Sequence, residues 1–421
     1  MQKPPTEFAA VVGIDWADKK HDVCLHIPGS EAFELSVLEH RVAAIGDWAL
    51  ALRERFGGAP VAVCIELAEG PIVSALLEYD FFVLFPVNPT MLAGYRRTFT
   101  PSGAKDDPTD ARIAVELFLR HRERLSALER ESDGMRVLRR LVEVRRDLVQ
   151  DRVRVTNRLT NVLKSYFPQV LSWFRDKWTD VFVEFVARWS TLQAAQRAKR
   201  ETLVAFFHEH NVRRASTIEK RLEAIRSEGP LTTDRAIIEP AVLQVEALLG
   251  QLRELSRSIE RFDAEIAARS AKLADYKLFA ALPGAGPALA PRLLVAFGER
   301  RERFPSAAAL QKYVGIAPVT ERSGNQSWVH WRWACPTFQR QTFVEWTEQT
   351  LPRSFWARAF YDQHRAKGAS HNAAIRALAF KWIRVLWRCW VDQTPYDEAR
   401  YLSALRKRHS PLLAFAAETP A

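Results

Sequence analysis

Two groups of residues in this chain have the types and spacing needed for chemistry on phosphate esters. The first is four acids in the first quarter, Asp15, Glu66, Asp107 and Asp110. Carboxylate oxygens that converge on one point make a hard-cation site suited to Mg²⁺, where a phosphate can be held and an attacking oxygen activated. The second is Ser323-Gly324, which follows the turn Gly315-Ile316-Ala317-Pro318. A serine hydroxyl that attacks a backbone phosphate forms a phosphoserine ester, which keeps the energy of the cut bond for religation. Together they imply an enzyme that breaks and rejoins nucleic-acid strands.

The acids need elements to bring them together. Asp15 ends an apolar strand, Val12-Gly13-Ile14-Asp15, and Glu66 ends another, Val63-Cys64-Ile65-Glu66. If the two strands are neighbours in one sheet, both carboxylates emerge at the same edge. Asp107 and Asp110 stand three apart, one helical turn on one face. Each acid also has a plain structural reading. Asp107-Pro108-Thr109-Asp110 has the make-up of a helix start, with an N-cap acid, proline at the first position and an acid in the first turn. Ser323-Gly324 likewise has the make-up of an ordinary turn. The combination of two strand-ending acids with a downstream DxxD is what favours metal.

The chain has 421 residues, 48% of them apolar, enough for two or three domains with cores of their own. A formal net charge of +11 and a pI near 9.6 predict an anionic partner, because phosphate neutralisation by Lys and Arg releases counterions. The four cysteines lie far apart without a CxxC pair, which argues against a zinc knuckle and a disulfide framework and fits a reduced, cytoplasmic protein. No signal-peptide pattern opens the sequence and no apolar run is long enough to span a bilayer, so no membrane role is expected.

Along the chain, residues 8–16, 21–27 and 32–37 read as a three-strand meander, 41–56 as a helix stopped by Gly57-Gly58, and 61–65 as a fully buried strand. A helix at 71–79, a strand at 82–87 and a helix from Pro108 complete a β-β-β-α-β-α-β-α order. That order is the one found in ribonuclease H-like folds, although order alone fits other α/β domains as well. The predicted architecture is α/β plus all-α: an N-terminal domain at 1–125, a helical and coiled-coil region at 126–275 with a helical insertion at 169–228, a mainly helical domain at 276–405 and a loose tail at 406–421. The coiled coil rests on the heptad Val245, Leu248, Leu252, Leu255, Ile259, Phe262 and Ile266. The same heptad fits an antiparallel hairpin equally, and a helix packed on its own domain is the other reading.

At Gly13-Ile14-Asp15, Cys64-Ile65-Glu66, Asn88-Pro89 and Lys105-Asp106-Asp107-Pro108-Thr109-Asp110-Ala111 the chain resembles the IS110-type transposases, described as bridge-RNA-guided recombinases. The resemblance continues through the turn Pro283-Gly284-Ala285-Gly286 and the Gly315 segment to Ser323-Gly324. It implies a RuvC-like domain whose Asp15, Glu66, Asp107 and Asp110 bind Mg²⁺, and a C-terminal domain whose nucleophile is Ser323. It also implies DNA element ends and target as substrates, a noncoding guide RNA, and a dimer or tetramer that builds each site from the acids of one subunit and the serine of another. On that basis the heptad is a candidate subunit contact. The family's Lys-x-Gly after the serine is replaced here by Trp333-Ala334-Cys335-Pro336, while Arg340 keeps the arginine that follows.

Candidate nucleic-acid contacts are Arg322 and Arg340, the helix-hairpin-helix-like turn at Gly284 and Gly286, and Arg145, Arg152 and Arg158 in the arginine-dense helix. Arg376, Lys381, Arg384 and Arg388, interleaved with Trp382 and Trp390, read either as a stacking surface or as a core helix with a basic outer face. Two other functions compete: a Holliday-junction-type endonuclease that hydrolyses DNA through the acids alone, and a non-catalytic nucleic-acid scaffold.

Overall fold

The computed structural model describes residues 7–99 and 107–413, the side chains of Phe99, Asp107 and Pro108 excepted. The chain divides into two compact units, Met1–Arg130 and Glu131–Ala421.

The first unit is a five-stranded sheet covered on both faces. Its elements are β1 (Ala10–Asp15), β2 (Lys20–His26), β3 (Phe33–Glu39), α1 (Val42–Arg55), β4 (Val61–Ile65), α2 (Pro71–Leu76), β5 (Phe82–Pro86), α3 (Pro89–Phe99) and α4 (Asp107–His121). The strand order is β3-β2-β1-β4-β5, with β2 antiparallel to β1 and β3, and with β4 and β5 parallel to β1. All five residues of β4 are buried because alternate side chains enter two different cores. Ala10, Val12, Ile14, Val61, Val63 and Ile65 pack with α1 and α2 on one face. Val11, Ala62 and Cys64 pack with α4 on the other.

Helix α3 was not expected. Asn88 supplies its start by accepting from the Thr90 amide through Oδ1 at 2.8 Å, and Pro89 takes the first position, where its missing N–H costs nothing.

The second unit is built on two long helices, α5 (Asp133–Tyr166) and α11 (Arg235–Ser270). They run antiparallel. Leu138 and Val142 near the start of α5 share a core with Ile266 near the end of α11, while Leu159 and Leu163 share another with Val245, Leu248 and Leu252. Between them the chain makes α6 (Val170–Trp173), α7 (Asp180–Arg188), α8 (Leu192–Arg197), α9 (Arg200–Glu209) and α10 (Ala215–Ser227), which close the second of these cores with Phe182, Phe185, Phe206 and Phe207. The heptad proposed as a coiled coil or subunit contact is therefore covered by α5 of the same chain, with Val245, Leu252 and Ile259 all buried.

The other core surrounds α13 (Gly286–Phe297), whose residues from Ala290 to Phe297 are all buried. Around it stand α12 (Tyr276–Ala280), α14 (Ala307–Tyr313), α15 (Thr337–Thr350), α16 (Phe355–Ala366), α17 (His371–Val391) and α18 (Glu398–Lys407). Buried tryptophans need partners for their N–H groups, and these three have them: Trp346 donates to the Pro283 carbonyl, Trp382 to Thr350 and Trp356 to Tyr396. Leu412 is buried in the same core, which anchors the stretch first read as a loose tail as far as that residue.

This region is not entirely helical. Between α14 and α15 lies a two-stranded hairpin, β6 (Val319–Ser323) and β7 (Gln326–His330). The turn read at Ser323-Gly324 thus belongs to a hairpin, in which Ser323 ends a strand and Gly324 opens the two-residue turn. Gly324 has φ +56°, the left-handed conformation that a two-residue hairpin turn requires.

Candidate functional site

Parallel pairing of β1 with β4 matches Ile14 with Ile65, so Asp15 and Glu66 follow at neighbouring strand ends on one sheet edge. Both are half-buried. The third acid arrives by a close approach of backbone to backbone. A Cβ on Gly13 would stand 2.0 Å from the Ala111 carbonyl oxygen, so the absence of a side chain there lets the first turn of α4 lie directly on β1. Asp110, in that turn, is 3% exposed and accepts from Arg96 Nη2 at 2.5 Å. Arg96, which the sequence reading passed over, thus ties α3 to α4 beside the acids. The Asp107 backbone opens α4 one turn earlier, while its side chain lies outside the described residues, as do Lys105 and Asp106. Among the described residues no three His, Cys, Asp or Glu side chains stand close enough to share a metal ion.

Ser323 ends β6, exposed, and faces Gln326 across the turn. Its hydroxyl makes no side-chain hydrogen bond among the described residues. Two positions back, Glu321 accepts from Trp328 Nε1 at 3.0 Å and from His330 Nε2 at 2.7 Å. His330 Nδ1 lies 3.0 Å from the Trp331 carbonyl. With an acceptor at each ring nitrogen, only the doubly protonated imidazolium satisfies both. The backbone carbonyl of Trp331 and the Glu321 carboxylate accordingly raise the His330 pKa above the ordinary histidine value of 6.5, and His330 and Trp328 hold that of Glu321 down. The stabilisation from this pair is full between about pH 4.5 and pH 6.5; it is lost as the pH climbs through the raised His330 value or falls through the lowered Glu321 value. Titration of His330 by NMR is expected to give a pKa above 6.5, and Glu321→Gln should bring it back toward that figure. An unshifted His330 in the wild-type chain would contradict this arrangement.

The base of the hairpin is tied down. Gln311, buried, accepts through its main-chain carbonyl from the amides of Ile316 and Ala317 and donates from Nε2 to the Phe380 carbonyl. Ile316, Val329, Trp331, Phe360, Arg376 and Phe380 help to line a pocket of about 510 Å³ at that base.

A family model described as Transposase, for the DEDD type of IS110, matches residues 12–168, and the model for the Transposase IS116/IS110/IS902 family matches residues 276–362. The chain belongs to the IS110 family of transposases. It is 27% identical over 400 residues to the "Mini-circle putative transposase for IS117" of Streptomyces coelicolor, covering 93% of this chain and 96% of that protein. It is also 26% identical over 307 residues to an uncharacterized 43.6 kDa protein of insertion element IS110 from the same organism, covering 70% and 73% of the two chains.

Several residues that the transposase sequence offered as nucleic-acid contacts have partners within the chain. Arg145 donates to Asp263 on α11 at 2.5 Å. Arg152 lies 4.2 Å from the Trp178 ring centroid, half-buried, and burial lowers its pKa. Arg340 donates to the Arg332 carbonyl at 3.1 Å and stacks on Trp331 with Arg376, which holds the exit from β7. Gly284 has φ +75°, and a Cβ there would stand 2.4 Å from the Gln349 carbonyl oxygen, so packing against α15 accounts for this glycine. Gly286 has φ +54° with open space around its Cβ position. Arg158 and Arg322 are exposed. On α17, Trp382 and Trp390 are core residues and Lys381 is half-buried over Trp356 and Phe360, which leaves Arg384 and Arg388 on the exposed face.

All four cysteines are free. Among the described residues no helix is long and apolar enough to cross a membrane.

Proposed function

We propose that this transposase cuts and rejoins DNA strands with Ser323 as nucleophile, together with a ribonuclease H/RuvC-like site in which Asp15, Glu66, Asp107 and Asp110 hold Mg²⁺. The observation that carries the reading is the pairing of Ile14 with Ile65, which delivers two carboxylates to one edge of a sheet ordered 3-2-1-4-5. Gly13 brings the first turn of α4, and with it Asp110, onto the same strand. The donors are hard oxygens, the class that Mg²⁺ prefers, and bound Mg²⁺ would neutralise phosphate charge. The Arg96 guanidinium holds Asp110 in place through a charge-assisted hydrogen bond.

The exposed Ser323 hydroxyl is open to a phosphodiester. Its oxygen forms the new bond to phosphorus, the bond to one strand's sugar oxygen breaks, and that oxygen takes up a proton as the serine gives one up. Attack by a different strand's hydroxyl on the phosphoserine reverses the sequence and joins the strands. Arg322, on the opposite face of the same strand end, supplies a cation for the backbone. The exposed arginines of α5, including Arg136, Arg140 and Arg158, with the net charge of +11, support a further polyanion, which the reading assigns to a noncoding guide RNA.

A second reading is favoured by one observation, the lack of a side-chain base on Ser323 among the described residues: a nuclease that hydrolyses through the acids alone. Ser323→Ala separates them. The recombinase loses its covalent protein–DNA adduct and strand joining by at least about three orders of magnitude, with melting unchanged because the residue is exposed. The nuclease keeps cutting. Copurified nucleic acid, sequenced, tests the guide: a discrete noncoding RNA from beside the gene supports it.

A further inference from the structure

The register of the β6–β7 hairpin sorts its side chains. Glu321 pairs with Trp328 and Ser323 with Gln326, so Val319, Glu321, Ser323, Gln326, Trp328 and His330 share one face. Trp328 is the diagonal neighbour of Ser323, within the ~7–8 Å that a long or aromatic side chain spans on a sheet.

An exposed tryptophan ordinarily turns its N–H toward water and its ring toward whatever apolar surface is near. Trp328 is 45% exposed, yet its N–H donates within the hairpin to Glu321, a carboxylate itself held by the His330 imidazolium. The indole is therefore pinned by its polar edge, and the Glu321 charge beside it is offset. A rigid aromatic face next to a candidate phosphate-attacking hydroxyl, in a chain of net charge +11, matches the chemistry of a nucleobase attached to that phosphate.

We propose that Trp328 is a stacking platform for the unpaired nucleobase adjoining the phosphate that Ser323 attacks. The proposal rests on the reading of Ser323 as nucleophile and extends it to how the strand is placed. Stacking is tolerant of base identity, since every base has a π face, so the platform sets position and leaves sequence choice to other contacts.

The test uses the full-length chain and a labelled DNA carrying the element's own terminus, with the nucleotides around the cut left unpaired. Single abasic substitutions are made at each nucleotide near the cut, and Trp328→Leu and Trp328→Phe are compared with the wild type. Trp328→Leu should weaken binding of the terminus about ten- to a hundredfold, and Trp328→Phe should retain most of it. One abasic position next to the cut should reproduce that loss in the wild type and add nothing in Trp328→Leu. Equal affinity for Trp328→Leu and wild type, or losses that multiply at every abasic position, would overturn the proposal. So would a smaller oligomer for Trp328→Leu at unchanged DNA affinity, which would assign the ring to a contact between copies. Running the same binding scan on Ser323→Ala keeps the two ideas apart: continued cutting by that variant defeats the nucleophile, whereas a flat abasic scan defeats the platform.

Discussion

Gly13→Ala is expected to reduce DNA cleavage about a hundredfold and to lower the stability of the first unit by about 2–3 kcal/mol. The new methyl would stand 2.0 Å from the Ala111 carbonyl oxygen and 3.0 Å from Val115 Cγ2. The first obstacle is helix backbone, so no rotamer change relieves it, and α4 must lift off β1 by about an ångström or more. Asp110 travels with that helix, away from the strand end that carries Asp15. Strand cleavage assays and denaturant melts of the purified variant measure both effects. Wild-type cleavage in a destabilised Gly13→Ala protein would show that the acids do not work together.

Glu345→Ala is expected to cost the second unit about 3–5 kcal/mol, a large share of the roughly 5–15 kcal/mol typical of a folded domain. Glu345 accepts from Arg292 Nη1 at 2.6 Å and from Arg146 Nη2 at 2.9 Å, joining α13 and α5 through α15. Arg292 is buried, its pKa lowered by that burial and raised back in part by Glu345. Without the carboxylate, two guanidinium groups share an interior site with no counter-charge, and a drop of roughly 10 °C in melting temperature should follow. The double variant Arg292→Met, Glu345→Leu should recover most of the loss, because it removes the more deeply buried guanidinium and leaves only Arg146, which is part-exposed and can be hydrated. Failure of the double variant to recover would point to the Thr342 contact and the packing of Arg292 on Phe338 as the larger contributions.

What could be read beforehand, and what could not, follows from how local each signal is. The β1 and β4 runs announced themselves as buried strands, and the acids at their ends followed from the same residues. Gly13 was visible only as a letter in a motif; its reason is a contact with Ala111, far along the chain, which no local pattern encodes. Helix α3 was legible in retrospect, since Asn88 and Pro89 form a cap and a first position, but they were read as a family mark. The hairpin had a signal too: Gly324-Asn325 between Thr320-Glu321-Arg322 and Trp328-Val329 is a two-residue turn between strand formers. The Ser323-Gly324 pair taken alone shows only a turn; the flanking strand formers are what place Glu321, Trp328 and His330 around it.

Charge was the weakest guide. Arg145 and Arg152 looked free for phosphate because sequence shows neither Asp263 nor Trp178 beside them, and their partners are distant in the chain. The apolar heptad of α11 was equally plain, yet nothing in it told whether its partner was another copy or α5.

The antiparallel α5–α11 pair has a mechanical consequence. At about 1.5 Å per residue, helices of 34 and 36 residues make a strut roughly 50 Å long, with one hydrophobic core clamped at each end. Its length is counted in helical turns and not left to a flexible tether, so anything gripping both ends is gauged against a fixed separation. Adding or removing one heptad in both helices would reset that gauge by about 10 Å while keeping the seam in phase.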